Sequence, residues 1–300
     1  MRILALALIL AACSPPHEEG KSPERLPPIR AAKVDAAAAR LPAHYRFVAP
    51  GTLTVGMAAS ARPLADYSNK EGSDLIGVEP GLAQLIADSL GLKLRIIPIA
   101  WPDWPLGLQS GKYDVIMSNL TVTEERKQKF DFSTYRDDLL GIYTRADGPL
   151  QAIVEPRDIA GLKIAVIAGT NQSQILDRWN AQNVAAGLKP AEPQYYDDPG
   201  VARLALLSGQ IDASFGPNAT SAYEARDGRT RKIGTFAGGW PLTAYIAVAS
   251  RKGSGLADPI TAAINAQIAD GAYAKLLDRW ALTSEGIKRS ETNPRGLPRS

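Results

Sequence analysis

The sequence predicts an α/β protein made of two lobes on one plan, each with a parallel sheet flanked by helices. Three observations lead there. Short apolar strands alternate with amphipathic helices along the chain. Two stretches, LQSGKYDVIM (108–117) and LLSGQIDASF (206–215), share the pattern Leu-x-Ser-Gly-x-x-Asp-x-x-(Met/Phe). Each is preceded by a strand of the same kind, LTVGM (53–57) and LKIAVIAG (162–169). One helix–Gly–strand match can arise by chance; the repeated order of neighbours favours two like lobes.

In chain order, MRILALALILAACS opens with Arg2 and an apolar run from Ile3 to Ala12 that is too short to span a bilayer as a helix. It reads as a signal peptide over 1–12. LAAC (10–13) resembles the bacterial lipoprotein signal, with Cys13 acylated after cleavage; an ordinary secretory signal with a chance cysteine is the other reading. Ser14 leans toward the outer membrane. Residues 13–45, rich in proline and mixed charge, are expected to form a lipid-attached flexible tether.

In the globular part, Glu79-Pro80 opens a helix whose face is Leu82, Leu85, Ile86 and Leu90, ended by Gly91. LKLRIIPI (92–99) alternates as a strand. Gly111 and Gly209 are placed as left-handed helix caps, each leading through an aspartate (Asp114, Asp212) into a buried strand. Asp258-Pro259 starts a late helix with Ile260, Ile264 and Ile268 along one side. The tail from 283 to 300 reads as loose.

Composition narrows the chemistry. The chain carries 45% hydrophobic and 22% charged residues, enough to bury a core, and a net charge of only +3 from 34 basic and 31 acidic residues. No basic stripe interleaved with aromatics argues for nucleic acid. The two histidines (His17, His44) and the single cysteine all precede residue 46. The remainder therefore has no Cys/His zinc site, no Ser-His-Asp triad, no Cys-His pair and no disulfide. No cofactor or metal is expected.

In NLTVTEERKQKFDFS (119–133), Thr121 and Glu124 have capping-box spacing and Thr123 is a second possible cap, so a helix is expected with Arg126 in its first turn. A cation there opposes the helix dipole. Spacing alone leaves two partners open: a bound anion, or a surface pairing with Glu125 or Asp131. Gly169 leads into a helix capped by Thr170 or Asn171, which reads equally as plain capping or as an anion site. Trp101 reads as pocket wall or as core, and Trp104 as core.

The chain resembles the bacterial extracellular solute-binding proteins of the polar amino-acid class (family 3), which serve ABC importers. The residues that carry this are GTLTVGM (51–57), GVEPGLAQLIADSLGL (77–92), LQSGKYDVIMSNLTVTEERKQKFDFSTY (108–135), DIAGLKIAVIAGTNQ (158–172), AYIAVASRKGSGL (244–256) and DGAYAKLLDRW (270–280). The resemblance implies a two-lobed periplasmic-binding-protein-like fold, two α/β lobes joined by two hinge strands: lobe one over 46–143 plus 244–282, lobe two over 144–243. It implies that Arg126 forks onto a ligand α-carboxylate, that Thr121 and Asn119 add hydrogen bonds, and that Trp101 walls the ligand. The Thr170–Asn171 helix start would meet the same carboxylate from lobe two.

Two departures bear on the ligand. Relatives that bind amino acids usually have an acid after the DA-x-F-x strand for the α-ammonium; here DASFGPNATSA puts Pro217 there, followed by Asn218. The usual aromatic before the first-lobe Pro-Phe is also missing, with Ala61, Arg62, Pro63 and Leu64 in its place. A ligand without a free α-amine fits this, as does an acceptor supplied by Asn218, Asp66 or Glu79, or a dicarboxylate held by Arg62 and Arg126. The expected function is a lipid-tethered receptor, not an enzyme, that faces the periplasm. It captures a small carboxylate-bearing solute, an amino acid or a derivative of one, between its closing lobes for an ABC permease and acts as a monomer. A dehydratase of the cyclohexadienyl or arogenate type and a ligand-sensing envelope module are the alternatives.

Overall fold

The computed structural model describes residues 23–68 and 74–298. The signal peptide, Cys13 and Ser14 lie outside them. Lobe one contains β1 (Thr52–Ala58), a short pair β2 (Asp66–Tyr67) and β3 (Leu75–Ile76), α2 (Val78–Leu90), β4 (Lys93–Ile99), α3 (Trp104–Gln109), β5 (Val115–Ile116) and β6 (Phe130–Asp137). It is preceded by a one-turn helix α1 (Asp35–Ala38). Lobe two contains β7 (Leu139–Arg145), β8 (Lys163–Val166), α4 (Asn171–Ala185), β9 (Glu192–Tyr195), α5 (Pro199–Leu207), β10 (Ala213–Pro217), α6 (Asn218–Glu224) and β11 (Thr230–Ala237). The chain then returns to lobe one through β12 (Tyr245–Arg251), α7 (Ala257–Asp270) and α8 (Ala272–Arg279).

The two sheets have the same topology. The first runs β4-β1-β5-β12-β6 and the second β9-β8-β10-β7-β11. In each, three parallel strands are followed by one reversed strand, β12 or β7, and then by an outer strand, β6 or β11, antiparallel to it. The purely parallel sheet expected from strand–helix alternation is thus corrected. The reversed strands, β7 and β12, are those that bring the chain out of the two lobe crossings, so they run against the βαβ units. The first crossing is Asp138, between β6 and β7, and the second spans 238–244. The expected boundary at 143 therefore falls inside β7.

The repeated motif occupies equivalent places in both sheets. Gly111 (φ +75°) and Gly209 (φ +77°) take the left-handed conformation at the ends of α3 and α5. Asp114 Oδ2 accepts from Thr54 N at 2.8 Å, and Asp212 Oδ2 accepts from Lys163 N at 2.8 Å. Each aspartate latches the first strand of its own lobe.

Burial follows the apolar pattern. Leu82, Leu85, Ile86 and Leu90 of α2 are buried, and Gly91 closes the helix with φ 69°. Pro80 stands in the first turn rather than at its first position. Lobe two centres on Trp179, with Phe215, Phe236 and Trp240 ring centroids 4.9–5.9 Å away.

Both ends of the chain depart from expectation. Residues 23–45 pack on lobe one instead of forming a free tether. Asp88 takes a bidentate pair from Arg30 (2.7 and 2.6 Å) and the amide of Ala31 (3.1 Å), and Ala37 is 1% exposed. The tail expected to be loose instead runs along the outer edge of β6. Thr134 N donates to Glu291 O (3.1 Å) and Asn293 N to Phe132 O (2.9 Å). It pairs the backbone groups of what would otherwise be an open edge strand.

Candidate functional site

Arg126 sits in a 3₁₀ turn, Arg126–Gln128, rather than at the start of an α-helix. The expected capping box does not form. Thr123 Oγ1 accepts from Arg126 N at 3.1 Å, while the Glu124 carboxylate takes Gly296 N (2.7 Å) and Lys127 Nζ (3.0 Å). The turn has no room to lengthen, because Phe130, 2% exposed, must enter β6 and the core.

The Arg126 guanidinium lies 5.8 Å and 5.7 Å from the ring centroids of Trp101 and Trp104. Its Nη1 donates to Thr121 O at 2.8 Å, and its Nη2 reaches Gly169 O, on the opposite lobe, at 3.4 Å. Among the described residues no carboxylate forms an ion pair with it: Asp131 pairs with Lys252 at 2.9 Å, and Glu125 makes no pair. Burial, only partly offset by the charges of Asp138 and Glu125, lowers its pKa to about 10. A cation held in that state gains from an anion. Trp101 is half-buried beside it and Trp104 is buried core, as read from the sequence.

Across the cleft, Gly169 (φ +71°) turns the chain from β8 into α4. Thr170 is the N-cap: its Oγ1 accepts from Ser173 N at 3.4 Å and donates to Ile167 O at 2.6 Å. Asn171 turns inward, donating from Nδ2 to Asp138 Oδ2 (2.9 Å) and Gly238 O (2.5 Å). The first amides of α4 have no intrahelical acceptor and carry the positive end of its dipole. They face the region that Arg126 approaches from lobe one.

Thr121 is 2% exposed, with its carbonyl on Arg126 and its hydroxyl donated to Asp138 Oδ2 at 2.7 Å. Asn119 lies one layer deeper in a left-handed conformation (φ 50°). Its amide donates to Glu79 Oε1 at 2.7 Å, and its Oδ1 accepts from Arg136 Nη2. Asn218 stands apart, in lobe two, accepting from Tyr143 OH at 3.1 Å. The structure therefore gathers Arg126, Trp101, Thr121, Thr170 and Asn171 around one point, with Asn119 behind them, while Asn218 bonds Tyr143 outside the lining of the adjoining cavity.

That cavity, about 120 Å³, lies at the carboxyl ends of β8 and β10 and is capped from lobe one by Ser60 and Ala61. Its walls are mainly apolar, among them Tyr143, Val166, Phe215 and Pro217, and Ile167 and Gln172 connect it to the Gly169 turn. At its far end Glu224 is paired with Arg203 at 3.4 Å, and burial raises the Glu224 carboxyl above its ordinary range.

The replacement acceptors weighed from sequence lie elsewhere. Glu79 is 1% exposed and accepts from Tyr135 OH at 2.5 Å; burial raises its carboxyl. Asp66 pairs with Arg62 at 3.3 Å, and Arg62 also bonds Glu24 at 3.2 Å. Arg62 is thus turned to the amino-terminal segment rather than toward Arg126.

Sequence reasoning missed Asp138. It is 3% exposed, and burial raises its carboxyl to about 6 against the opposing hydrogen bonds of Thr121 and Asn171 and the charge of Arg136. Arg136 is itself buried against Glu285. The signal was Arg136-Asp137-Asp138, a run of three charged residues at the end of a largely buried strand. Among the described residues no group of His, Cys, Asp or Glu could hold a metal ion, and no helix is long and apolar enough to cross a membrane.

Residues 53–283 match the family model of the bacterial extracellular solute-binding proteins, family 3. The L-cystine-binding protein TcyJ of Escherichia coli K12 is 33% identical over 165 residues, 54% of this chain and 60% of that protein. The chain thus spans well under two thirds of that relative. The arginine-binding protein ArgT of Corynebacterium glutamicum is 26% identical over 303 residues, 95% of this chain and 91% of that one. A solved ancestral arginine-binding protein bound to arginine superposes with a TM-score of 0.67 at 29% identity, covering 79% of this chain and 99% of that one. The relatives include enzymes: the cyclohexadienyl dehydratase of Pseudomonas aeruginosa, 26% identical over 183 residues, 60% of this chain and 63% of it, and the membrane-bound lytic murein transglycosylase F of Pseudoalteromonas translucida, 32% identical over 168 residues, 55% of this chain and 33% of it.

Proposed function

Because the chain belongs to the bacterial extracellular solute-binding proteins, family 3, we propose that it captures a small carboxylate-bearing solute without a free α-amine between its lobes and delivers it to an ABC permease. The observation that carries this reading is Arg126: a half-buried guanidinium against two tryptophans, without a carboxylate partner among the described residues, opposite the amino-terminal end of α4. A carboxylate there receives a forked donor from lobe one and helix amides from lobe two. Each charge-assisted hydrogen bond contributes about 1.5–3 kcal/mol.

Arginine- and cystine-binding relatives are named for amino acids. At the position where such relatives usually carry an acid for the α-ammonium this chain has Pro217, neither Glu79 nor Asp66 faces the cavity, and Glu224, which does, is already paired with Arg203. A buried ammonium without a carboxylate is costly. The apolar wall of Tyr143, Val166 and Phe215 instead suits an uncharged or substituted group. Arg62, taken by Glu24 and Asp66, does not support a dicarboxylate.

The chain is a receptor and not an enzyme on this reading. Asp138 is already engaged by Thr121 and Asn171, and Glu224 by Arg203, so neither stands ready as a proton donor. Acylation at Cys13 would tether the receptor to the membrane with the lobes in the periplasm, as a monomer.

The test is thermal unfolding of the full chain with three sets of compounds: free amino acids, N-substituted amino acids and amine-free carboxylates. A true ligand at a hundred times its dissociation constant adds about 2.7 kcal/mol. Stabilisation by the second or third set alone supports the reading; turnover of an arogenate-like compound contradicts it.

A further inference from the structure

We infer that the carboxyl-terminal segment Ser290–Leu297, which lies beyond the family match, is a strap that positions the Arg126 turn and braces the second lobe crossing. The functional part of the inference rests on Arg126 as the carboxylate site.

The segment first completes the edge of β6. Ser290 Oγ donates to Thr134 O (2.6 Å), and the Asn293 side chain bonds Phe132 N (2.8 Å) and Asp131 Oδ1 (3.0 Å). It then leaves the sheet for the loop that carries Arg126. Leu297 N donates to Val122 O at 3.0 Å, and Leu297 O accepts from Glu124 N at 2.8 Å. Gly296 N donates to Glu124 Oε1 (2.7 Å), and Pro294 O accepts from Lys127 Nζ (2.8 Å). Four hydrogen bonds thus clamp residues 122–127, the stretch in which the Thr123 hydroxyl holds the Arg126 amide and which directly follows Thr121, whose carbonyl takes the guanidinium.

Two glycines make the approach possible. A Cβ on Gly296 would lie 2.7 Å from Thr123 C and 2.9 Å from Glu124 N, both backbone atoms that cannot swing aside. A Cβ on Gly239, in the second crossing, would collide with the Leu297 side chain. Leu297 therefore touches both the ligand turn and the link between the lobes. Released, the turn gains freedom, and ordering it again weakens the ligand.

The experiment uses the full chain, a chain ending at Arg289, and the Gly296→Val, Leu297→Ala and Leu297→Met variants. Two readouts are taken: amide exchange at Glu124, Lys127, Gln128 and Lys129 relative to α4, and tryptophan fluorescence titrated with N-acetylglycine. The expected result is exchange at the turn at least tenfold faster in Gly296→Val, α4 unchanged, and affinity for N-acetylglycine weakened about tenfold, the loss of one or two hydrogen bonds. Leu297→Met should keep the affinity of the full chain. If the shortened chain does not fold, Gly296→Val and Leu297→Ala carry the test. Unchanged exchange at the turn in those variants overturns the strap. A full chain that ignores N-acetylglycine counts against the carboxylate reading, and turn exchange then decides the strap alone.

Discussion

Asn171 Nδ2 and Asp138 Oδ2 lie 2.9 Å apart, and through this contact the start of α4 in lobe two is tied to the strand crossing and, by way of Thr121, to lobe one. Asp138 is raised to about 6 by burial. An unfolded aspartate titrates near about 4. Between these values the folded chain binds more protons than the unfolded chain, so this group's contribution to stability is full below about 4 and is lost as pH rises to about 6. Asp138→Asn should remove that component. Unfolding temperatures of both proteins from pH 4 to 7 test it, the difference isolating Asp138 from other carboxylates.

Arg126→Gln should weaken carboxylate binding about ten- to a hundredfold, since a charge-assisted pair is lost. The unfolding temperature should hold or rise, because a partly desolvated cation without an ion-pair partner is removed. Arg126→Lys should not restore affinity, because a point ammonium lacks the planar fork. Calorimetric titration and a melting curve of each variant measure both quantities.

The repeated aspartates carry unequal loads. Asp114 is fully buried and accepts from Thr54 N (2.8 Å), Val48 N (3.1 Å) and Tyr45 OH (3.0 Å). Asp212 is exposed and accepts from Lys163 N alone at 2.8 Å. Asp114→Ala strands one buried and two part-buried donors and should cost about 3 kcal/mol, against about 1 kcal/mol for Asp212→Ala. Denaturant unfolding of the two variants gives the comparison.

Pro217→Asp should bring free amino acids into the site. It restores an acid at the end of β10, beside a cavity whose walls are mainly apolar and whose acid, Glu224, is paired with Arg203. A panel of amino acids should then stabilise the variant more than the parent, by up to about 1.5–3 kcal/mol for the new bond.

Much of this was legible in the chain. Gly111 and Gly209 mark left-handed caps that few other residues tolerate, and their aspartates gave the two-lobed plan before any coordinates. The faces of α2 and α7 follow from spacing. Arg126, Thr121 and Asn171 were found through a family pattern, and the structure places them together. What the pattern could not show is how they are engaged: Thr121 and Asn171 spend their side chains on Asp138, an aspartate invisible as a buried group because Arg136 and Glu285, which share its charge cluster, are 149 positions apart. The end segments misled for a different reason. Their polar composition looks like disorder, yet Ser290–Leu297 is held by backbone pairing, which leaves no hydrophobic period to read.

The central claim is most directly tested by calorimetric titration of the full chain with a matched pair, L-alanine and N-acetyl-L-alanine, which differ at the amine alone. The account predicts that the acetylated compound binds at least about tenfold more tightly, a difference of about 1.4 kcal/mol. Tighter binding of L-alanine would show that another acceptor replaces the acid missing at Pro217, and would contradict the proposed ligand class.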